Sequence, residues 1–176
     1  MISTAIIDPL KEIIESSPGS IFFTTPKSYI LYGNKACEQK KGYDLPQMVG
    51  KRPGDLWGGN MDRRFYKNMW DTIYNKKLPF AGNVINNKNK KQAKEHIFIA
   101  PILDKKNEVK YFIEINPSYE TKYKKDKYKD EFLTYWTNKG NQNIYALKKI
   151  IVWVDPGKKK RAKNLIDVYA EYEESL

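Results

Sequence analysis

The sequence predicts an α+β domain: a five-stranded antiparallel sheet with short helices and one longer helix on one face. Three observations lead there. Two short runs rich in β-branched and aromatic residues stand near the start, Ser20 to Thr25 and Tyr29 to Tyr32. An apolar stripe of helical period covers Met61 to Asn75, after a stretch too rich in proline and glycine for anything but short turns. Three further strand-like runs then follow one another across polar turns, the pattern of a meander with its helices segregated to one side.

Each element has its own justification. Asp8 can cap a first helix, with Pro9 in its first turn and Leu10, Ile13 and Ile14 as its apolar stripe, and Ser17-Pro18-Gly19 stops it. The first two strands turn at Pro26-Lys27-Ser28. Asn34 is the expected cap of a helix over Lys35 to Lys41, which Gly42 closes. Between Leu45 and Trp57, Pro46, Gly50, Pro53 and Gly54 allow only short helical turns, and Gly58-Gly59-Asn60 reads as a flexible joint. Asp55 and Asp62 on either side of that joint read as helix caps.

In the long helix, Phe65/Tyr66, Met69/Trp70 and Ile73/Tyr74 repeat every four residues. Lys76-Lys77 suits its C-terminal end and Pro79 terminates it. Phe80 to Asn86, Ala93 to Leu103 and Val109 to Ile115 are the three closing strands. Pro101 implies an edge position or a bulge within the middle one.

Beyond the sheet, Asn116-Pro117-Ser118 starts a helix with an aromatic stripe of Tyr119, Tyr123, Tyr128, Phe132 and Tyr135/Trp136. A strand-like run follows at Lys149 to Val154, then a helix from about Lys159 to Glu174. The expected division is therefore an N-terminal helix over 1–19, a domain over 20–118, and an extension of helix, short strand and helix over 119–176.

Composition narrows the function classes. The chain has 176 residues, 40% of them hydrophobic, and no apolar run near the ~20 residues that span a bilayer. Its start lacks the charged and apolar regions of a secretory signal, and its one cysteine cannot form an internal disulfide, so a cytoplasmic location is expected. The net charge of +11 is spread over both halves of the chain, more a solvated surface than a binding arm. The sequence contains no glycine-rich phosphate loop, no Gly-x-Ser-x-Gly and no His–Glu metal motif, so no enzymatic activity is expected.

Several blocks recur in a known order. Tyr29-Ile30-Leu31-Tyr32-Gly33-Asn34-Lys35-Ala36-Cys37-Glu38 is an apolar strand running into Asn, a variable residue, Ala and an acidic helix position. Gly42-Tyr43, Val49-Gly50-Lys51, Phe65 to Trp70, and Pro79-Phe80-Ala81-Gly82 followed by Asn86 continue it. In this colinear order residues 10–120 resemble a PAS sensor domain, in particular the branch that includes flavin-binding redox and aerotaxis sensors.

The resemblance implies a half-barrel whose concave sheet face is closed by the helices. Such a concavity suits a small molecule. Trp57, Trp70, Phe80 and Asn86 are the expected pocket residues. Phe80 stands where the flavin-binding members carry Trp, whereas Gly82 and Asn86 match. A core filled by side chains is slightly favoured over an occupied pocket. If a cofactor is held, FAD or FMN is the one implied.

Haem is disfavoured because the long helix has no histidine, and His96 falls on a strand. Cys37 lies away from the helix that would face a flavin and reads as a small core residue. The function implied is a sensory module that binds a ligand or partner and relays its state through flanking helices. Leu10, Ile13 and Ile14, with Tyr119, Tyr123, Phe132 and Trp136, are the residues expected to meet a second copy or a downstream signalling protein. The alternative is a cofactor-free basic adaptor for nucleic acid or an acidic protein.

Overall fold

The computed structural model describes residues 14, 15, 17, 19–88 and 91–116. The expected segments at Asp8–Ile13, Tyr119–Trp136, Lys149–Val154 and Lys159–Glu174 lie outside them.

The strands are β1 (Ser20–Thr24), β2 (Ile30–Gly33), β3 (Phe80–Lys88), β4 (Lys91–Leu103) and β5 (Val109–Asn116). They form one antiparallel sheet in the order β2-β1-β5-β4-β3, so β5 is the middle strand although it comes last. Between β2 and β3 run α1 (Lys35–Lys41), α2 (Leu45–Met48), α3 (Pro53–Leu56) and α4 (Arg63–Trp70). The fold expected from the sequence, an α+β sheet with helices between its first pair of strands and its last three, is the one observed.

Asn34 shows why the chain turns where it does. Its Oδ1 accepts from the N–H of Cys37, which caps α1, and from the N–H of Ile21 on β1, at 2.9 and 3.0 Å. Its Nδ2 donates to the carbonyls of Ile14 and Gly19 at 2.8 and 2.9 Å. A fully buried amide thereby satisfies both its donors and both acceptor sites, and joins three parts of the chain. At the other end of α1, Gly42 takes φ 81°, the left-handed closure that glycine adopts without steric cost.

Asp62 caps α4 through the N–H of Phe65 at 2.7 Å, as expected. Asp55 does not cap: it lies inside α3, whose N-cap is Arg52, because Pro53 sets the first turn one step earlier. After Trp70 the long helix widens into a π-helical turn, Asp71–Asn75, anchored by the Lys76–Asp71 ion pair at 2.8 Å. Pro101 stands two residues beyond Ile99, the partner of Phe80 at the start of β3. It therefore occupies a stretch of β4 with β5 alone beside it, and the register slips at Ile102/Leu103.

Two apolar clusters form the interior. One joins Met69, Ile73, Phe80, Val84, Ile97, Ile99 and Phe112 from α4, the π turn and the sheet. The other joins Phe22, Ile30, Cys37, Met48 and Trp57 under the short helices. Cys37 is a buried core residue, as expected, and burial pushes its thiol up to about 11, which leaves it unreactive. Ile14 is fully buried within its own chain and so is not an exposed dimer residue.

Candidate functional site

The two clusters do not meet everywhere. Between the concave sheet face and the helices lies a cavity of about 670 Å³. β1, β3, β4 and β5 supply one wall through Phe22, Thr24, Val84, Asn86, Ile97, Ile99, Phe112 and Glu114. Alternation along each strand puts these side chains on one face. Tyr66, Met69, Trp70 and Ile73 close it from the long helix and its π turn, and Trp57 from the short-helix region. The exposed lining residues Lys27, Arg52, Gly54 and Asp55 mark its open side.

The aromatic side chains are held by their neighbours. Trp57 is 2% exposed and meets Phe22 edge-on at a centroid distance of 5.6 Å. Trp70 is half-buried and stands edge-on to Phe112 at 5.7 Å. Arg52 lies 4.8 Å from the Tyr29 ring centre and donates to that hydroxyl at 3.1 Å.

Beside these rings sits a set of charged groups that the sequence did not single out. Lys41 Nζ lies 2.5 Å from Glu95 Oε2 and 5.3 Å from the centre of the Trp57 ring. Asn86 Nδ2 donates to the same Glu95 oxygen at 3.0 Å. Burial opposes ionisation of Glu95. The charge and hydrogen bond of Lys41, the charge of Lys40 and the Asn86 amide outweigh it and hold the carboxyl below its ordinary value. Glu114, two residues along from Phe112 on the same face and half-buried, has no ammonium paired to it, only the amide of Asn116. Desolvation drives it up to about 7, against the pull of the Lys41 charge.

The Gly58-Gly59-Asn60 joint is pinned to β3. Asn60 Nδ2 donates to the carbonyls of Trp57, Gly58 and Ile85, at 3.3, 3.1 and 3.1 Å. Its Oδ1 accepts from Asn87 Nδ2 at 3.3 Å, and the Asn87 N–H donates to the Trp57 carbonyl at 2.7 Å. The expected flexible joint is therefore a strap along the sheet edge, because one amide supplies the contacts that the glycines lack.

Of the four expected pocket residues, Trp57, Trp70 and Asn86 line the cavity and Phe80 does not. The Phe80 ring packs edge-on to Phe65 at 5.5 Å and lies over Gly82, where a Cβ would come within 2.9 Å of it. An aromatic residue at 80 with glycine at 82 is thus a packing unit beside the cavity. His96 projects from the face opposite Glu95 and Ile97, and its Nδ1 is 3.0 Å from Asn83 Oδ1.

Among the described residues no cluster of His, Cys, Asp and Glu could hold a metal ion. No described helix is long and apolar enough to cross a membrane. Leu10, Ile13, Tyr119, Tyr123, Phe132 and Trp136 lie outside the described residues.

The missed residues left faint marks. Lys41 follows Cys37 by four positions, on the same helix face, and Glu114 interrupts the apolar run Phe112 to Ile115. Neither mark gives the pairing, which depends on how α1 meets the sheet.

No family model matches this chain. Two curated relatives do, the nitrogen fixation regulatory proteins of Klebsiella pneumoniae, 26% identical over 117 residues, and Klebsiella oxytoca, 25% identical over 112. The match covers 63% of this chain and 22% of either relative, so the chain spans about a fifth of their length. Among solved structures, the LOV protein of Rhodobacter sphaeroides is similar with a TM-score of 0.63 at 10% identity, covering 98% of this chain and 99% of that one. The PAS domain of a Colwellia psychrerythraea protein gives 0.53 at 16%, covering 65% of this chain and 97% of that one. With the sheet order, the helices between β2 and β3, and the concave cavity, these likenesses fix the fold: the domain described here has the PAS fold.

Proposed function

We propose that the chain is a sensory module whose cavity takes a small planar ligand, and that a flavin is that ligand. The cavity carries the reading. Its volume of about 670 Å³ is within the range of small-molecule sites, and its walls combine aromatic rings with a few fixed polar groups. Trp57, Trp70 and Phe112 offer edges and faces to an aromatic ring system, and Asn86 and Glu114 offer hydrogen bonds to its polar rim. Lys27 and Arg52 on the open side supply positive charge for a phosphate tail. Occupancy or redox state then biases the long helix and the strap, and a second copy or a downstream regulatory protein reads the change.

The absorbance spectrum of the purified chain, before and after dialysis against FMN, tests this. Retained visible flavin absorbance with quenched tryptophan fluorescence is the expected result. A spectrum of aromatic absorption alone, with no FMN retained, overturns the flavin reading.

A further inference from the structure

Glu114 holds an unusual position. It stands on β5, the middle strand of the sheet, flanked in register by Phe22 of β1 and Ile99 of β4, and it lines the cavity. Two carboxylates, Glu95 and Glu114, share this region with one buried ammonium, Lys41, and that ammonium is committed to Glu95 at 2.5 Å. The other groups near Glu114 do not supply a second counter-ion. Lys40 on α1 acts at longer range and its own charge is disfavoured by burial. Cys37 on α1 is a neutral thiol, and Asn116 on β5 offers an amide. Tyr66 reaches the cavity from α4 with a hydroxyl, whereas Lys27, Arg52 and Asp55 stand on the open side. A lone carboxylate against apolar walls is costly and a carboxylic acid is not.

We propose that Glu114 is the specificity-determining residue of the cavity: a carboxylic acid whose O–H selects a ligand edge bearing an uncharged hydrogen-bond acceptor and couples its binding to a proton. This rests on the reading of the cavity as a flavin site. The sign follows from linkage. An acceptor facing the O–H stabilises the protonated form, so the ligand binds the acid better than the carboxylate. Affinity therefore falls as pH rises through the titration of Glu114, by up to about tenfold per pH unit. Glu114 is neutral in the state that binds, pushed there by desolvation up to about 7.

The test has two arms on the full chain. In the first, without ligand, the carboxyl carbons of ¹³C-labelled glutamates are followed by NMR across pH, in wild type and Glu114→Gln. One resonance titrating near neutrality and missing from the variant is expected; a Glu114 that titrates with the surface glutamates overturns the proposal. In the second, riboflavin is the probe in equilibrium dialysis at about pH 6 and about pH 8.5. Wild type should lose ten- to hundredfold in affinity over that interval, whereas Glu114→Gln, which cannot ionise, should bind alike at both. Riboflavin binding that is equally strong at both pH values in wild type overturns the proposal and leaves the flavin reading intact. No riboflavin binding at either pH overturns the flavin reading, and with it the selection assigned to Glu114, even where the first arm shows a proton site.

Discussion

Lys41 and Glu95, fifty-four residues apart, meet at 2.5 Å with side chains 1% and 8% exposed. A charge pair so withdrawn from water is held by geometry more than by net attraction, since desolvation offsets most of the Coulomb gain. It ties the C-terminal turn of α1 to β4 beside Trp57 and Asn86, which line the cavity. Removing one partner leaves the other charge buried alone. Lys41→Met or Glu95→Leu should each cost about 3–5 kcal/mol, and the double variant should recover most of that loss. Urea denaturation of the three variants checks this; losses that simply add would show that the two charges act independently.

Glu114 gives the opposite sign to the usual carboxylate. Its folded value of about 7 lies above the ordinary 4.5, so the folded state binds more protons between those limits. Stability then falls as pH rises from about 4.5 to about 7 and stays low above that, a penalty of at most about 3 kcal/mol. Glu114→Gln should remove the slope and raise the melting temperature at alkaline pH, with little change under acid conditions. Thermal melts across pH read it directly, and a variant that loses stability equally at every pH would refute the assignment.

Asn34 should tolerate no substitution. Asn34→Ala deletes four hydrogen bonds among buried partners, two to N–H groups and two to carbonyls. At about 1 kcal/mol for each bond, with more for each buried group left unpaired, the loss should exceed about 4 kcal/mol. Asn34→Asp keeps the cap of α1 but sets an oxygen against the Ile14 and Gly19 carbonyls. It should therefore be nearly as harmful. A mild Asn34→Asp in chemical denaturation would mean that capping alone matters there.

These residues show how far the sequence could be read. As caps, Asn34, Gly42 and Asp62 act on neighbours within four positions, so local chemistry identified them, whereas the bonds of Asn34 to Ile14, Gly19 and Ile21 span 13 to 20 positions and left no local mark. The strands and long helix declared themselves through periodicity. Asp55 failed as a cap because Pro53 fixes the turn before it, a competition between adjacent signals. Phe80 was misplaced for a different reason. Its ring reaches Phe65 and folds over Gly82, and a strand pattern gives the face but not the direction of a large side chain along it. The Lys41–Glu95 pair and the isolation of Glu114 were beyond reach, since both depend on the approach of α1 to the sheet.

The strap at Asn60 gives a local test. β3 is an edge strand, and its outward N–H groups at Ile85 and Asn87 are taken by Met61 Sδ, at 3.3 Å, and the Trp57 carbonyl, at 2.7 Å. Asn60 holds that arrangement through the carbonyls of Trp57 and Ile85 together. Without its amide, the Gly58-Gly59 backbone has few constraints and the strap should open more often than the sheet unfolds. In Asn60→Ala, amide exchange at Asn87 should quicken by at least about tenfold, the effect of roughly 1.4 kcal/mol of local stability. Amides on β5, shielded between β1 and β4, should keep their protection. Equal acceleration at both places would mean that Asn60 supports the whole domain and not the wall of the cavity, because only local opening frees the edge of β3 while leaving the middle strand closed.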